Sequence, residues 1–273
     1  MTLVVIWKTT KGIGVIADSR FGNGGDTVSI SGPKIFASTP VLNRARDGRK
    51  RRLPSMGFAF AGATPSGLVT NALASTCLQN LAAEDFDDGP TVQDVANLYE
   101  RCGVLAIDDF RKWKAYDFCF EAVVFGRDGP SSPSRAFVLD FRIGDDGNAQ
   151  CTSAEIDFSI HRMMLLGAGV DQVRDIFARA APNEVLVPSK ILQAVMDNPA
   201  VPSVGGYQQA ALAAVDGVEL HPSLASFWRK TPEGMETVLG PTERIIEFRL
   251  MGFELSKIGS VGRYSPTANH FAS

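Results

Sequence analysis

Two nearly continuous apolar runs open the chain, residues 3–9 and 12–18, split by Lys11-Gly12. Such runs fit strands of a sheet covered on at least one face, and the Lys-Gly break fits a hairpin. Residues 19–32 are then rich in glycine, serine and aspartate, the pattern of a loop that could approach a ligand backbone closely. Apolar character returns at Lys34–Ala37 and Gly57–Ala61, two further predicted strands. Between them, residues 38–55 carry Arg44, Arg46, Arg49, Lys50, Arg51 and Arg52 between Pro40 and Pro54. This reads as an exposed insertion, either solvated or a docking loop for a neighbouring subunit.

The period then changes from two to that of a helix. Thr64-Pro65 predicts a helix start, with Leu68, Val69, Ala72, Leu73 and Leu81 as its apolar face and Asp85–Pro90 beyond its end. Thr91 and Asp94 form a capping-box pattern, and Val95, Leu98, Cys102 and Leu105 continue a second helix to about Lys112. Residues 117–126, 135–143, 149–157 and 163–166 predict strands. Val170, Val173, Ile176, Phe177 and Ala180 predict a third helix ending near Pro182, and Pro188-Ser189 opens a fourth. Tyr207–Val215 and Val218–Leu220 predict a hairpin about Asp216-Gly217. Strands, two helices, strands, two helices, strands is the order that two sheets between helical layers require, an α+β fold built as a four-layer αββα sandwich. We read residues 1–224 as one domain and 225–273 as a C-terminal extension with one strand candidate, Arg244–Met251.

Composition narrows the class. The 273 residues are 45% hydrophobic with a formal net charge of −3, which gives no reason to expect nucleic acid or an anionic membrane as a partner. No apolar run approaches the roughly 18 residues of a spanning helix, and the start lacks a signal-peptide pattern, so a soluble cytoplasmic protein is expected. Cys77, Cys102, Cys119 and Cys151 lack metal-site spacing and are expected to be free, buried thiols. The three histidines likewise lack ligand spacing, and no metal or cofactor is expected. Gly12-Ile13-Gly14-Val15-Ile16-Ala17 matches a dinucleotide fingerprint, but Val15-Ile16-Ala17 continues an apolar strand where a helix should begin.

The chemistry lies in the polar residues that punctuate the first strands. With Met1 removed, Thr2 would carry a free α-amine beside its own hydroxyl, one residue serving as nucleophile and base. A nearby cation would keep that amine neutral. Lys34 is the candidate cation and Asp18 the carboxylate that holds it, since a lysine in a buried strand must be paired.

The order Thr2, Asp18-Ser19-Arg20, Lys34, Phe58–Gly62, Leu165–Gly169 and Ser203–Tyr207 resembles the N-terminal nucleophile (Ntn) hydrolases of the proteasome β-subunit type. In layout it is most similar to the bacterial HslV-like subunit of a two-component protease, which also starts Met-Thr. The resemblance implies a threonine-type hydrolase of peptide or amide bonds. Thr2, Asp18 and Lys34 would be catalytic, Gly62 would supply an oxyanion N–H, and Arg20 and Ser203 would be auxiliary. It further implies a homo-oligomer such as a ring, a peptide or protein substrate, and room for a separate ATP-driven unfoldase, since this chain has no nucleotide motif. Three departures stand out. Ala168 occupies a position usually held by serine, and an aspartate and a serine that help tether the amine fall near Val201 and Val204. A small-substrate amidase, a transpeptidase and a catalytically silent structural subunit therefore stay open.

Overall fold

The computed structural model describes residues 2–23, 26–30, 32–45, 47–83, 89–112, 118–179, 187–221, 223–224, 227–231, 234–238, 248–250 and 253–254. In chain order the elements are β1 (Leu3–Lys8), β2 (Ile13–Ala17), β3 (Phe21–Asn23), β4 (Asp26–Ser29), β5 (Ile35–Ser38), β6 (Val41–Arg44), β7 (Lys50–Arg52), β8 (Met56–Gly62) and α1 (Thr64–Leu78). There follow β9 (Leu81–Ala83), α2 (Val92–Arg111), β10 (Phe120–Arg127), β11 (Ser134–Ile143), β12 (Ala149–Glu155), β13 (Met163–Gly167), α3 (Val170–Arg179), α4 (Pro188–Met196), β14 (Gln209–Ala214) and β15 (Gly217–His221). Beyond them, Phe227–Thr231 pairs with Gly234–Val238, while Ser223–Leu224, Phe248–Leu250 and Phe253–Glu254 form a second small sheet. Of the strand expected over Arg244–Met251, Phe248–Leu250 is strand and the remainder lies outside the described residues.

Two five-stranded antiparallel sheets carry the fold, ordered β13-β1-β2-β14-β15 and β12-β11-β10-β8-β5. Strand alternation sorts their side chains. Phe58, Phe60, Phe120, Ala122, Val124, Leu139 and Phe141 face α1 and α2, where Tyr99 stacks on Phe58 at 4.4 Å and Phe120 on Phe141 at 4.3 Å between ring centroids. The alternate residues Ala59, Ala61, Val123 and Phe125 share a second core with Val4, Ile6, Val15, Ala17, Ala211 and Ala213 of the other sheet. Leu3, Val5 and Ile16 pack with Val173, Ile191, Leu192 and Val195 of α3 and α4 in a third. Strands β1 and β2 thus lack a polar face because cores cover both sides of them. The α+β class expected from the sequence is present, with the helices packed on antiparallel sheets.

Several local expectations need correction. The 38–55 segment is structured: β6 pairs with β7 and, in parallel, with β9, and Leu42 is buried. Its arginines masked a short inside-out alternation, although β7 is fully exposed as a basic edge should be. Leu81 belongs to β9 and not to the first helix, whose N-cap is Ala63 rather than Thr64. That helix buries Ser66, Gly67, Thr70, Ala74 and Leu78 and leaves Val69 and Leu73 exposed. Small residues face inward because α1 lies tight on the sheet; a Cβ on Gly67 would sit 2.3 Å from the Phe60 ring. The capping box of Thr91 and Asp94 on α2 is present, with Leu105 exposed. Cys102 alone of the four thiols is fully buried; Cys77 is exposed. Ile13–Ala17 form β2, the strand expected there, and not a helix. Among the described residues, no helix is long and apolar enough to cross a membrane, and no cluster of His, Cys, Asp and Glu could hold a metal ion.

Candidate functional site

Thr2 immediately precedes β1 and is 2% exposed. Because Val4 pairs with Ala17, the next residue of β2's chain, Asp18, comes level with Leu3. The Leu3 N–H donates to Asp18 Oδ1 at 3.1 Å, and the Arg20 and Gly205 N–H groups donate to Oδ2 at 3.1 and 3.0 Å. Lys34 Nζ completes the set, donating to Oδ2 at 3.0 Å. Both members of this ion pair are fully buried. Asp18 therefore accepts four hydrogen bonds and fastens β1, the turn after β2, the Gly205 turn and Lys34 together.

Burial opposes the charges of the pair. Desolvation pushes the Asp18 pKa above its ordinary value, with Lys34 and the backbone donors pulling it back. Desolvation lowers the Lys34 pKa, Asp18 opposes this, and the positive charge of Arg20 lowers it further. A lysine so placed is held in a fixed position by its carboxylate partner. The Phe21 ring centroid lies 5.6 Å from Nζ.

Lys34 is positioned from its backbone by Gln209, the first residue of β14, which is also fully buried. Its Oε1 accepts from the Lys34 and Ile35 N–H groups at 2.9 and 3.3 Å, and its Nε2 donates to the Gly32 carbonyl at 2.6 Å. Sequence reading missed this residue. The available signal was phase: Gln209 aligns with the buried Ala211 and Ala213.

The β13–α3 turn supplies the other wall. The Ala168 N–H donates to the Thr2 carbonyl at 2.8 Å, and Gly167 pairs with Leu3. Gly167 has φ +88°, and a Cβ there would lie 2.0 Å from the Thr2 carbonyl oxygen and 2.6 Å from Ala61. Glu121, in phase with Val123 on the inter-sheet face of β10 and also missed, accepts from the Gly167 N–H at 2.6 Å. Gly62 ends β8 beside Ala61, has φ +117° and packs against Phe120, so the β8 terminus abuts the Thr2–Gly167 contact.

Of the two auxiliary candidates, Arg20 reaches the site region. It lays its guanidinium against Gly205, where a Cβ would sit 2.6 Å from it, and donates from NH1 to the Pro202 carbonyl at 2.7 Å. Ser203 lies half-buried in the same turn, and among the described residues no hydrogen bond joins it to Asp18 or Lys34. Val201 and Val204 are buried in the core beneath α4. Ala168 packs against that same core and offers the site only its backbone.

Solved structures similar to this chain include Anbu proteins. A Gly-1 mutant of Anbu from Hyphomicrobium sp. strain MC1 matches with a TM-score of 0.56 at 14% identity over 80% of this chain and 85% of that one. Anbu, described as an ancestral beta-subunit, from Yersinia bercovieri matches with 0.53 at 13% over 81% and 87%. The helical assembly of the Anbu complex from Pseudomonas aeruginosa matches with 0.55 at 14% over 81% and 86%. These neighbours correct the resemblance to the HslV-like subunit: the sheet-rich chain is similar to Anbu instead. At such identities the likeness shows the fold alone. No protein-family model matches the sequence, and no curated protein matches it.

Proposed function

We propose that this chain is a self-assembling, proteasome-related subunit whose Thr2, exposed by removal of Met1, performs Ntn-type acyl transfer on amide bonds. The observation that carries the reading is the fully buried Asp18–Lys34 pair hydrogen-bonded to the residue after Thr2. An ion pair without solvent is costly to maintain for stability alone. In this reading Thr2 Oγ attacks the carbonyl carbon while the Thr2 α-amine takes the hydroxyl proton. Lys34, ordered by Asp18, keeps that amine neutral, and the Gly62 N–H faces the developing oxyanion, a contact whose loss typically costs about 100-fold or more in rate. Expulsion of the amine product leaves an ester on Thr2, which water or a second amine resolves. We place this chemistry in a domain of residues 1–224, a four-layer αββα sandwich, with 225–273 as an extension. Arg20 would steady the turn that carries Gly205.

With Ala168, Val201 and Val204 at the positions where hydroxyl and carboxylate tethers are expected, amine positioning rests on backbone contacts. This favours a narrow substrate range, such as small amides, over general proteolysis. A second reading, a silent structural subunit, draws on the same three residues and on the helical assembly formed by the Anbu complex of Pseudomonas aeruginosa. Turnover of a panel of aminocoumarin amides and unfolded casein separates them. Activity on small amides, lost in Thr2→Ala, supports the enzyme. Absence of turnover from a chain that still assembles and retains Met1 supports the scaffold.

A further inference from the structure

Two glycines flank Ala168 in the β13–α3 turn, Gly167 at φ +88° and Gly169 at φ +84°. Residues so free of side-chain constraint hold one conformation only where contacts from elsewhere fix it. The turn bears on the nucleophile because the Ala168 N–H donates to the Thr2 carbonyl at 2.8 Å. The N–H before it, that of Gly167, donates to Glu121 Oε2 at 2.6 Å. Strand β13 is the outermost of its sheet, and Glu121 reaches it from β10 in the other sheet. Across that second sheet Glu121 pairs with Ala61 of β8 and with Asp140 of β11. Arg142 spans the two carboxylates, with Nη2 3.6 Å from Glu121 Oε1 and Nε 2.7 Å from Asp140 Oδ1. Both Glu121 oxygens are thus engaged. The next two residues on this face of β10, Val123 and Phe125, are apolar and fully buried, so a carboxylate beside them is costly unless it is hydrogen-bonded.

We propose that Glu121 is a positioning residue for Thr2, its carboxylate pinning the Gly167–Gly169 turn so that the Ala168 N–H holds the Thr2 carbonyl in place. The role rests on Thr2 acting in acyl transfer. A carboxylate suits the task because a hydrogen bond to an ionised acceptor is about twice as strong as one to a neutral group. Arg142, itself tied to Asp140, restrains the half-buried Glu121 side chain from turning into solvent. Ala168, Val201 and Val204 carry no polar side chain, so the placement of the Thr2 main chain falls to backbone donors. Glu121 fixes the residue that aims the nearest of those donors. Without it the turn gains freedom and the Thr2 carbonyl can shift, carrying the hydroxyl and the amine of the same residue with it. A misplacement of about 1 Å can cost about 100-fold in rate. Because Glu121 acts through the main chain of Thr2, its loss should appear in the chemical step and not in binding.

The test is the kinetics of Thr2 acylation in the full-length chain, followed by intact mass over a concentration series of a β-lactone, which separates the maximal rate constant from the apparent affinity. Glu121→Leu should lower the maximal rate constant at least about 10-fold and leave the affinity unchanged. Glu121→Gln still offers an oxygen to the Gly167 N–H and should recover most of that rate. Glu121→Asp keeps the charge but falls one methylene short of Gly167, and should slow the step as the leucine variant does, so the test stands even if Glu121→Leu does not fold. Val123→Ala, on the same face of β10, should lower the fraction of folded chains that label but not the rate at which they do so. Wild-type rates in the leucine and aspartate variants would overturn the role of Glu121 alone, as would equal slowing in Val123→Ala or no recovery in Glu121→Gln. A wild-type chain that never labels at Thr2 would overturn the acyl-transfer reading and this role with it.

Discussion

Removing one member of the Asp18–Lys34 pair should be far more damaging than any exposed ion-pair deletion. Asp18→Asn keeps the shape of the side chain but has one acceptor oxygen where the carboxylate has two. If that oxygen serves the Leu3 N–H, the new amide nitrogen confronts the Gly205 and Arg20 N–H groups and Lys34; if flipped, it confronts Leu3. Either way a buried donor is stranded, at about 1–3 kcal/mol, and Lys34 loses its counter-charge. The combined loss should fall at about 3–5 kcal/mol, the range for breaking buried pairs. Lys34→Met should cost at least about 1 kcal/mol less, because three N–H donors still hold the Asp18 carboxylate.

The pH dependence follows from the direction of the Asp18 shift. Its folded pKa lies above the ordinary 3.8 and rises further without Lys34. A group so shifted favours the folded state below its unfolded pKa and loses that contribution as pH rises through the folded value. The Lys34→Met deficit should therefore be greatest at neutral pH and shrink as pH falls towards about 4. Urea unfolding of both single variants and the double, followed by tryptophan fluorescence at several pH values, measures this. The double variant should be destabilised by at least about 1 kcal/mol less than the sum of the singles. Singles costing under about 1 kcal/mol each, strictly additive and flat with pH, would refute the reasoning, since that is how solvated pairs behave.

Three further outcomes are expected. Gln209→Leu strands the Lys34 and Ile35 N–H groups and the Gly32 carbonyl, so urea unfolding should show a loss of at least about 3 kcal/mol. Gly167→Ala puts a Cβ against the Thr2 carbonyl at positive φ, and thermal melting should report a loss above about 2 kcal/mol, whereas Gly48→Ala, with open space around it, should lose only the αL penalty of about 1–2 kcal/mol. Thr91→Ala removes the α2 cap at about 1 kcal/mol. Hydrogen bonds from Thr91 hold the Asp94 pKa below its ordinary 3.8, so this contribution is present above that pH and fades as pH falls below it, which melting at pH about 3 and 7 would reveal.

The strands of the buried sheets were legible because uninterrupted apolar runs such as Leu3–Ile6 and Phe58–Ala61 have few other uses. Asp18 and Lys34 were legible for the complementary reason, as charges where the pattern demanded apolar residues. The inward face of α1 was hidden because close packing on Phe60 selects Gly67 and Ser66, which a hydrophobic count ignores. The strands within 38–55 were hidden because each is short and β7 is wholly exposed. Gln209 and Glu121 carry their meaning in long-range partners, Gly32 and Gly167, that only the folded chain brings near.

The most direct measurement is the intact mass of the purified chain before and after incubation with a β-lactone electrophile selective for N-terminal threonine. The expected result is a chain lacking Met1 that gains one adduct mapped to Thr2, with the rate falling at least about 100-fold in Lys34→Ala and no adduct in Thr2→Ala. A chain without Met1, folded and assembled, that forms no adduct at Thr2 would contradict the proposed chemistry.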